Sequence, residues 1–271
     1  MLAAVPADSA AHLSWNVVDD LRQVLAYHFM FNALRAGTIV AVVAGLVGWF
    51  MVLRRQAFAG HALAVIGFPG GAGATWLGIN VAYGFFGFCV GGALVIELAS
   101  GGRRSAGGGH SDESAVVGTV QAFALGCGFL FVSLYKGLLD GVNALLFGTI
   151  SGVSDAQVRI LAGAGAVCVV GLVVLGRPLL FASLDPVVAR ARGVPVRLVS
   201  VAFLVLLGVA AAGTSQVTGS LLVFALLVAP AAAAQQLTAR PGLGLGLSVV
   251  LAVLVTWFGE VIAFFSIYPI G

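Results

Sequence analysis

Eight apolar runs joined by short connections constrain this chain more than anything else in it. Their cores are Ala33–Leu53, Ala57–Leu77, Val81–Ala99, Ala115–Leu134, Ala156–Leu175, Leu198–Ala212, Ser220–Leu237 and Leu243–Phe265. A helix needs about 20 mostly apolar residues to cross the hydrocarbon of a bilayer, and most of these runs are about that long. Only 8% of the residues are charged, against roughly 25% in soluble domains. The chain therefore reads as an all-α, polytopic membrane helical bundle of about eight spans. The same composition excludes a disordered chain, which needs low hydrophobicity and high charge. A net charge of +3 with no basic arm or stripe excludes nucleic acid as a partner.

Nucleotide chemistry is excluded on different grounds. The single lysine, Lys136, follows no glycine-rich loop, and a phosphate-cradling loop of the form G-x-x-x-x-G-K-[ST] needs its Lys against the β- and γ-phosphates. The 38 glycines are scattered through the apolar runs, where small residues let helix backbones approach. Cys89, Cys127 and Cys168 lie far apart inside those runs and read as small core residues.

Arginine placement sets an expected orientation. Arg54, Arg55, Arg103, Arg104, Arg177, Arg190, Arg192, Arg197 and Arg240 fall in odd-numbered connections, whereas Arg22, Arg35, Lys136 and Arg159 fall on the other side. The positive-inside rule then makes the odd connections cytoplasmic and the N-terminus outside. Residues 1–24 carry no basic start or small-residue cleavage site and read as an extramembrane lead-in. Residues 25–271 read as one transmembrane domain.

Two connections differ from simple turns. Tyr135–Asp155 holds Asp140, Asn143 and Leu146-Phe147-Gly148. It is too apolar for a solvated loop and too interrupted by Gly for one helix, which suggests a short or re-entrant helix among the spans. Residues 177–197 read RPLLFASLDPVVARARGVPVR. Asp185-Pro186 is a helix start, and Gly193 with Pro195 is a stop. The expected short helix sets Val187, Val188 and Ala191 against Arg190 and Arg192. It serves as a lid on the bundle or as a docking element.

From Tyr27 onward the residues resemble a known family, the membrane permeases of metal-ion ABC importers for zinc, manganese or iron. The similarity lies in Tyr27-His28-Phe29-Met30, in Val52-Leu53-Arg54-Arg55, and in Phe58-Ala59-Gly60-His61-Ala62-Leu63 with Phe68-Pro69-Gly70. It continues in Glu113 with Ala115–Gly118, in Leu146-Phe147-Gly148, and in Leu184-Asp185-Pro186 with Ala189 and Gly193. The run from Val217 to Leu237, with Thr218-Gly219-Ser220 and Val228-Ala229-Pro230-Ala231, is its most specific part. The resemblance implies a type II importer fold, shared with cobalamin and siderophore importers. Two permease copies would form the pore, two cytoplasmic ATPase subunits would drive it, and an extracytoplasmic binding protein would deliver the metal. The chain itself would be no enzyme and would hold no tight cofactor, the divalent metal being its cargo. The segment around Asp185, Pro186, Arg190 and Gly193 becomes the expected coupling helix that seats in the ATPase.

Departures from that family bear on the cargo. His61 stands where the family usually carries an Asp, and Val65 stands where it carries a His one turn later. Thr149 follows the LFG element in place of an acid or amide, and Ile267 replaces an acid near the last Pro-x-Gly. The family also continues into a further helix where this sequence ends at Gly271, so the last span is expected to be truncated or absent. Among ionisable residues in or beside the spans, His61, Glu260 and Asp140 are the candidates for a metal pathway, because such groups usually face a cavity. Each also has a structural reading: an interhelical hydrogen bond for His61, a polar neighbour for Glu260, solvent or a helix cap for Asp140 and Asn143. Glu97 is expected to be a solvated or Arg-paired helix end. A loose metal-sensing loop at Gly107–His110 with Asp112 and Glu113 is a further, weaker reading. The alternatives for the whole chain are a permease for a metal chelate, an ATP-independent transporter, and a non-transporting paralogue.

Overall fold

The computed structural model describes residues 28–105, 110–135, 153–220 and 222–265. With no water to satisfy peptide groups, apolar runs of this length close their hydrogen bonds internally as helices, and no strand occurs among the described residues. The helices are α1 (His28–Leu53), α2 (Ala57–Leu77), α3 (Val81–Ser105), α4 (His110–Leu134), α5 (Asp155–Leu184), α6 (Pro186–Ala191), α7 (Val196–Thr218), α8 (Val223–Leu237) and α9 (Pro241–Phe265). Seven of them are long and apolar enough to cross a membrane.

Local chemistry sets the corners. Arg55 turns the chain between α1 and α2 in the left-handed region, at φ 57°. Gly78 closes α2 at φ 69°, and the Asn80 side chain then accepts the Ala82 N–H at 2.9 Å to open α3. Ser154 and Gln157 form a reciprocal capping box that starts α5, satisfying two of the N–H groups a helix start leaves open.

α2 occupies the centre of the bundle and packs against α3, α4 and α7. Every residue from Ile66 to Ala74 on it is buried. Glycines allow this approach. A Cβ at Gly70 would strike the Gly84 carbonyl of α3, and one at Gly84 would strike the Gly70 carbonyl in return. On α1, a Cβ at Gly48 would strike the Leu227 carbonyl of α8. α1 and α9 run antiparallel, with Gly37 beside Glu260 and Trp49 beside Gly244. The ends carrying Arg54, Arg55, Arg177, Arg190, Arg192, Arg197 and Arg240 thus gather at one end of the bundle.

Several boundaries differ from the sequence reading: α3 runs past Ala99 to Ser105 and α7 past Ala212 to Thr218, and two further differences bear on the architecture. The run Ser220–Leu237 yields a helix of only 15 residues, α8, after a turn at Gly219 with φ 76°. At 1.5 Å per residue it is roughly 22 Å long, short of the ~30 Å hydrocarbon core. Conversely, α5 does not stop at Leu175 but continues through Pro178 to Leu184. Proline costs a helix interior a hydrogen bond and a clash. Here Leu179 and Ala182, both buried beyond it, anchor the extra turns to the core, as neighbouring helices commonly do in membrane bundles.

Candidate translocation and coupling sites

At the arginine-rich end, α5 leads into α6 and α6 into α7. Asp185 caps α6 by accepting the N–H groups of Val187 at 3.0 Å and Val188 at 2.9 Å. Pro186 occupies the first helical position, where its missing N–H is no loss. The far end closes as a Schellman motif: Val194 donates to the Ala189 carbonyl and Gly193 to that of Arg190, with Gly193 at φ 80°. The sequence reading of the faces needs correction. Ala189 alone is buried, while Val187 (73% exposed) and Val188 face outward together with Arg190 and Arg192. Six residues offer too little surface for an inward apolar stripe, so one methyl anchors α6 and the rest projects.

Beneath α6, Arg54 joins three chain segments: the α1–α2 corner, α5 and α7. Its Nε donates to Gln56 Oε1 at 3.1 Å, Nη1 to Ser183 Oγ at 3.3 Å and Nη2 to Ser200 Oγ at 2.7 Å. The guanidinium also lies 5.4 Å from the centroid of the Phe203 ring. Gln56 and Ser200 are buried. Sequence reasoning used Arg54 only as an orientation charge. Nothing in the sequence signals that residues 129 and 146 positions away supply its acceptors.

His61 sits one turn into α2, half-buried, with its ring edge-on to Phe224 of α8 at 5.0 Å between centroids. Its Nδ1 is buried with no hydrogen-bond partner among the described residues, so among them the interhelical hydrogen bond of the structural reading is absent at that nitrogen. Phe58 and Val65 lie on the same face at helical spacing and are likewise not buried. His61 is therefore the ionisable group on the least enclosed strip of an otherwise enclosed helix.

Glu260 lies elsewhere, in the half of α9 away from the arginine-rich end. It is 1% exposed, its carboxyl group packed onto Gly37 of α1 so closely that a Cβ there would overlap Oε1. Among the described residues, its Oε2 and the neighbouring Thr256 Oγ1 are buried without hydrogen-bond partners. One turn back along the seam, Trp257 donates Nε1–H to Thr38 Oγ1 at 2.9 Å. His61 meets α8 at Phe224, whereas Glu260 lies on the α1–α9 seam against Gly37, so the two occupy separate seams and are not brought together. Near the same end as Glu260, buried Asn32 ties α1 to α5 by donating to Asp155 Oδ1 at 3.0 Å. The sequence reading missed that link.

Glu97 is 4% exposed, which rules out the solvated reading of that residue: the third span continues to Ser105 and keeps Glu97 inside the bundle. Asp140, Asn143, Leu146-Phe147-Gly148, Thr149 and Ile267 lie outside the described residues, as does most of Gly107–His110. Among the described residues, no group of three or more His, Cys, Asp or Glu comes together to hold a metal ion.

Residues 26–271 match the ABC 3 transport family. The chain belongs to that family. This ABC 3 family member is 30% identical over 249 residues to the manganese transport system membrane protein MntC of Halalkalibacterium halodurans, covering 91% of this chain and 80% of that one. It is 32% identical over 217 residues to the manganese import system permease protein ScaB of Streptococcus parasanguinis, covering 80% and 74%. It is 29% identical over 246 residues to the chelated iron transport system membrane protein YfeC of Yersinia pestis, covering 90% and 81%. Among solved structures, PsaBC from Streptococcus pneumoniae in complex with Fab superposes with a TM-score of 0.81 at 26% identity, covering 94% of this chain and 90% of that one. A chain described as a metal-chelate type ABC transporter in an inward-facing conformation shares the fold, with a TM-score of 0.71 at 18% identity. The expected fold class is thus found, and the family member is a multi-pass protein of the plasma membrane, a transport component and not an enzyme.

Proposed function

We propose that this chain is the membrane-spanning permease of an ATP-driven importer for a divalent transition metal, with manganese or iron as the cargo its relatives favour. It works as one of two copies, takes its ion from an extracytoplasmic binding protein and is driven by ATPase subunits docked at the arginine-rich, cytoplasmic end. The observation that carries this reading is α6. A six-residue helix capped at Asp185, closed at Gly193 and held by the single methyl of Ala189 leaves Val187, Val188, Arg190 and Arg192 free for a partner.

On this reading the cargo meets weak, successive contacts, because an ion must be able to leave each one. His61, with a buried nitrogen free to coordinate, is one of them, since neutral imidazole suits borderline metals. Glu260, toward the opposite end, is another candidate, and Asp140 is one from the sequence alone. The relative named for chelated iron keeps a metal chelate as the second reading of the cargo.

The test is reconstitution into vesicles with the ATPase and the binding protein. Radiolabelled manganese, ferrous iron and a ferric chelate are supplied in parallel. ATP-dependent accumulation of at least one free ion is expected. Accumulation of the chelate alone moves the cargo to the second reading, and accumulation of any of them without ATPase subunits overturns the proposal.

A further inference from the structure

The contacts of Arg54 fall on both stems of α6. Ser183 lies two residues before the cap Asp185, and Ser200 lies one turn into α7. The same guanidinium reaches Gln56, which precedes α2 and whose carbonyl accepts the Gly60 N–H at 3.0 Å, immediately before His61. One side chain therefore bridges the two strands that carry α6 and the corner from which the His61 helix begins.

The geometry suits transmission rather than simple surface pairing. Ser183 donates its own hydroxyl hydrogen to the Leu179 carbonyl at 2.5 Å, which turns its lone pairs toward Arg54. Phe203, fully buried one turn beyond Ser200, lies beside the guanidinium and packs edge-on to Phe50 of α1 at 6.4 Å. A planar fork held by stacking and by three directed bonds loses little freedom per bond and resists rotation, which a flexible ammonium would not. Displacing either stem of α6 therefore drags on the α1–α2 corner through a short, stiff link.

We propose that Arg54 is the positioning residue that relays movement of α6 to α2, and so to His61, during the transport cycle. The inference rests on the proposed docking of an ATPase at α6. It adds that this guanidinium is a stiff polar link from α6 to the pathway helix, acting beside the direct packing of α7 on α2.

The experiment uses the assembled complex with its ATPase in vesicles, comparing wild type with Arg54→Gln, Arg54→Lys and the double variant Ser183→Ala/Ser200→Ala. The last removes both stem acceptors while leaving the cation in place. Each is measured for co-purification with the ATPase, ATP hydrolysis, manganese uptake per ATP, and the ATP-induced displacement of spin labels at Ala191→Cys on α6, exposed and outside the proposed docking set, and Phe58→Cys on α2. Allosteric couplings are typically worth about 5- to 150-fold, so uptake per ATP is expected to fall roughly tenfold in Arg54→Gln and in the double variant. Co-purification and hydrolysis stay within about twofold of wild type. The α6 label should still move in full while the α2 label follows by a clearly smaller displacement than in wild type. Arg54→Lys should recover only part of the coupling.

Should Arg54→Gln fail to assemble, the serine pair carries the test alone. Uptake and hydrolysis falling in proportion, or an α2 label that moves as far as in wild type, overturns the relay. Wild-type complex that shows no ATP-dependent uptake overturns the docking reading as well, which separates the two failures.

Discussion

Replacing Asp185 with Ala removes the acceptor of two backbone N–H groups at once, those of Val187 at 3.0 Å and Val188 at 2.9 Å. Loss of a capping side chain costs about 0.5–2 kcal/mol, and losing a charged acceptor shared by two donors belongs near the upper end, about 1.5–2 kcal/mol. α6 has no reserve to absorb this. Isolated helices shorter than ~12–15 residues are marginal in water, and the six residues of α6 have one buried side chain between them. Each 1.4 kcal/mol is a factor of ten, so the formed helix becomes roughly ten- to thirtyfold less populated relative to its open state. If only the formed helix docks, the apparent Kd for the ATPase subunits rises by as much as that factor where the open state dominates. Binding in nanodiscs by surface plasmon resonance measures this directly. Asp185→Asn, which caps comparably, should bind near wild type. Gly193→Ala, forced into φ 80°, should weaken binding independently through ~1–2 kcal/mol of left-handed strain. Unchanged affinity in Asp185→Ala and Gly193→Ala together would refute the reasoning. Equal losses in Asp185→Asn and Asp185→Ala would show that the carboxylate contacts the partner and that capping is not the cause.

Three other perturbations follow from the packing. His61→Ala should lower metal uptake by about tenfold, each tenfold step being 1.4 kcal/mol, at a modest cost in detergent stability of about 0.5–1.5 kcal/mol for the lost ring contact with Phe224; uptake at the wild-type rate would remove His61 from the pathway. Gly37→Ala should destabilise by roughly 1–3 kcal/mol through overpacking on Glu260. Glu260→Ala in the same chain should recover part of that loss, with a coupling of about 0.5–3 kcal/mol read by a double-mutant cycle; strict additivity would mean the two side chains do not meet. Gly48→Val pushes a side chain against the Leu227 carbonyl and should lower the unfolding temperature in detergent, whereas Gly87→Val, with nothing nearby, should not.

How far the sequence anticipated these arrangements depends on the range of the interaction. Apolar length predicts Ala57–Leu77 to the residue, because a segment that must bury every peptide group has few alternatives. The cap at Asp185 and the stop at Gly193 were equally readable, since both act over three to five residues. The reading of α5 stopped short at Leu175 because the buried Leu179 and Ala182 that hold its last turns to the core are tertiary facts. Helices that are apolar on every side, such as α1 and α9, carry little directional pattern to say which neighbour they meet. The acid at position 260 was therefore visible while its seat on Gly37 was not. The Arg54 contacts, spanning more than a hundred residues, left no local trace at all.

The enclosure of α2 carries a consequence for how this protein responds to its surroundings. From Ile66 to Ala74 the helix touches only other helices, whereas α4, α5 and α9 turn most of their apolar surface outward. Changes in acyl-chain length are met by tilting or stretching elements that touch lipid. Such changes will be felt first by that outer ring. The helix that holds His61 is lagged by protein on every side over those residues, and bilayer thickness reaches it only second-hand.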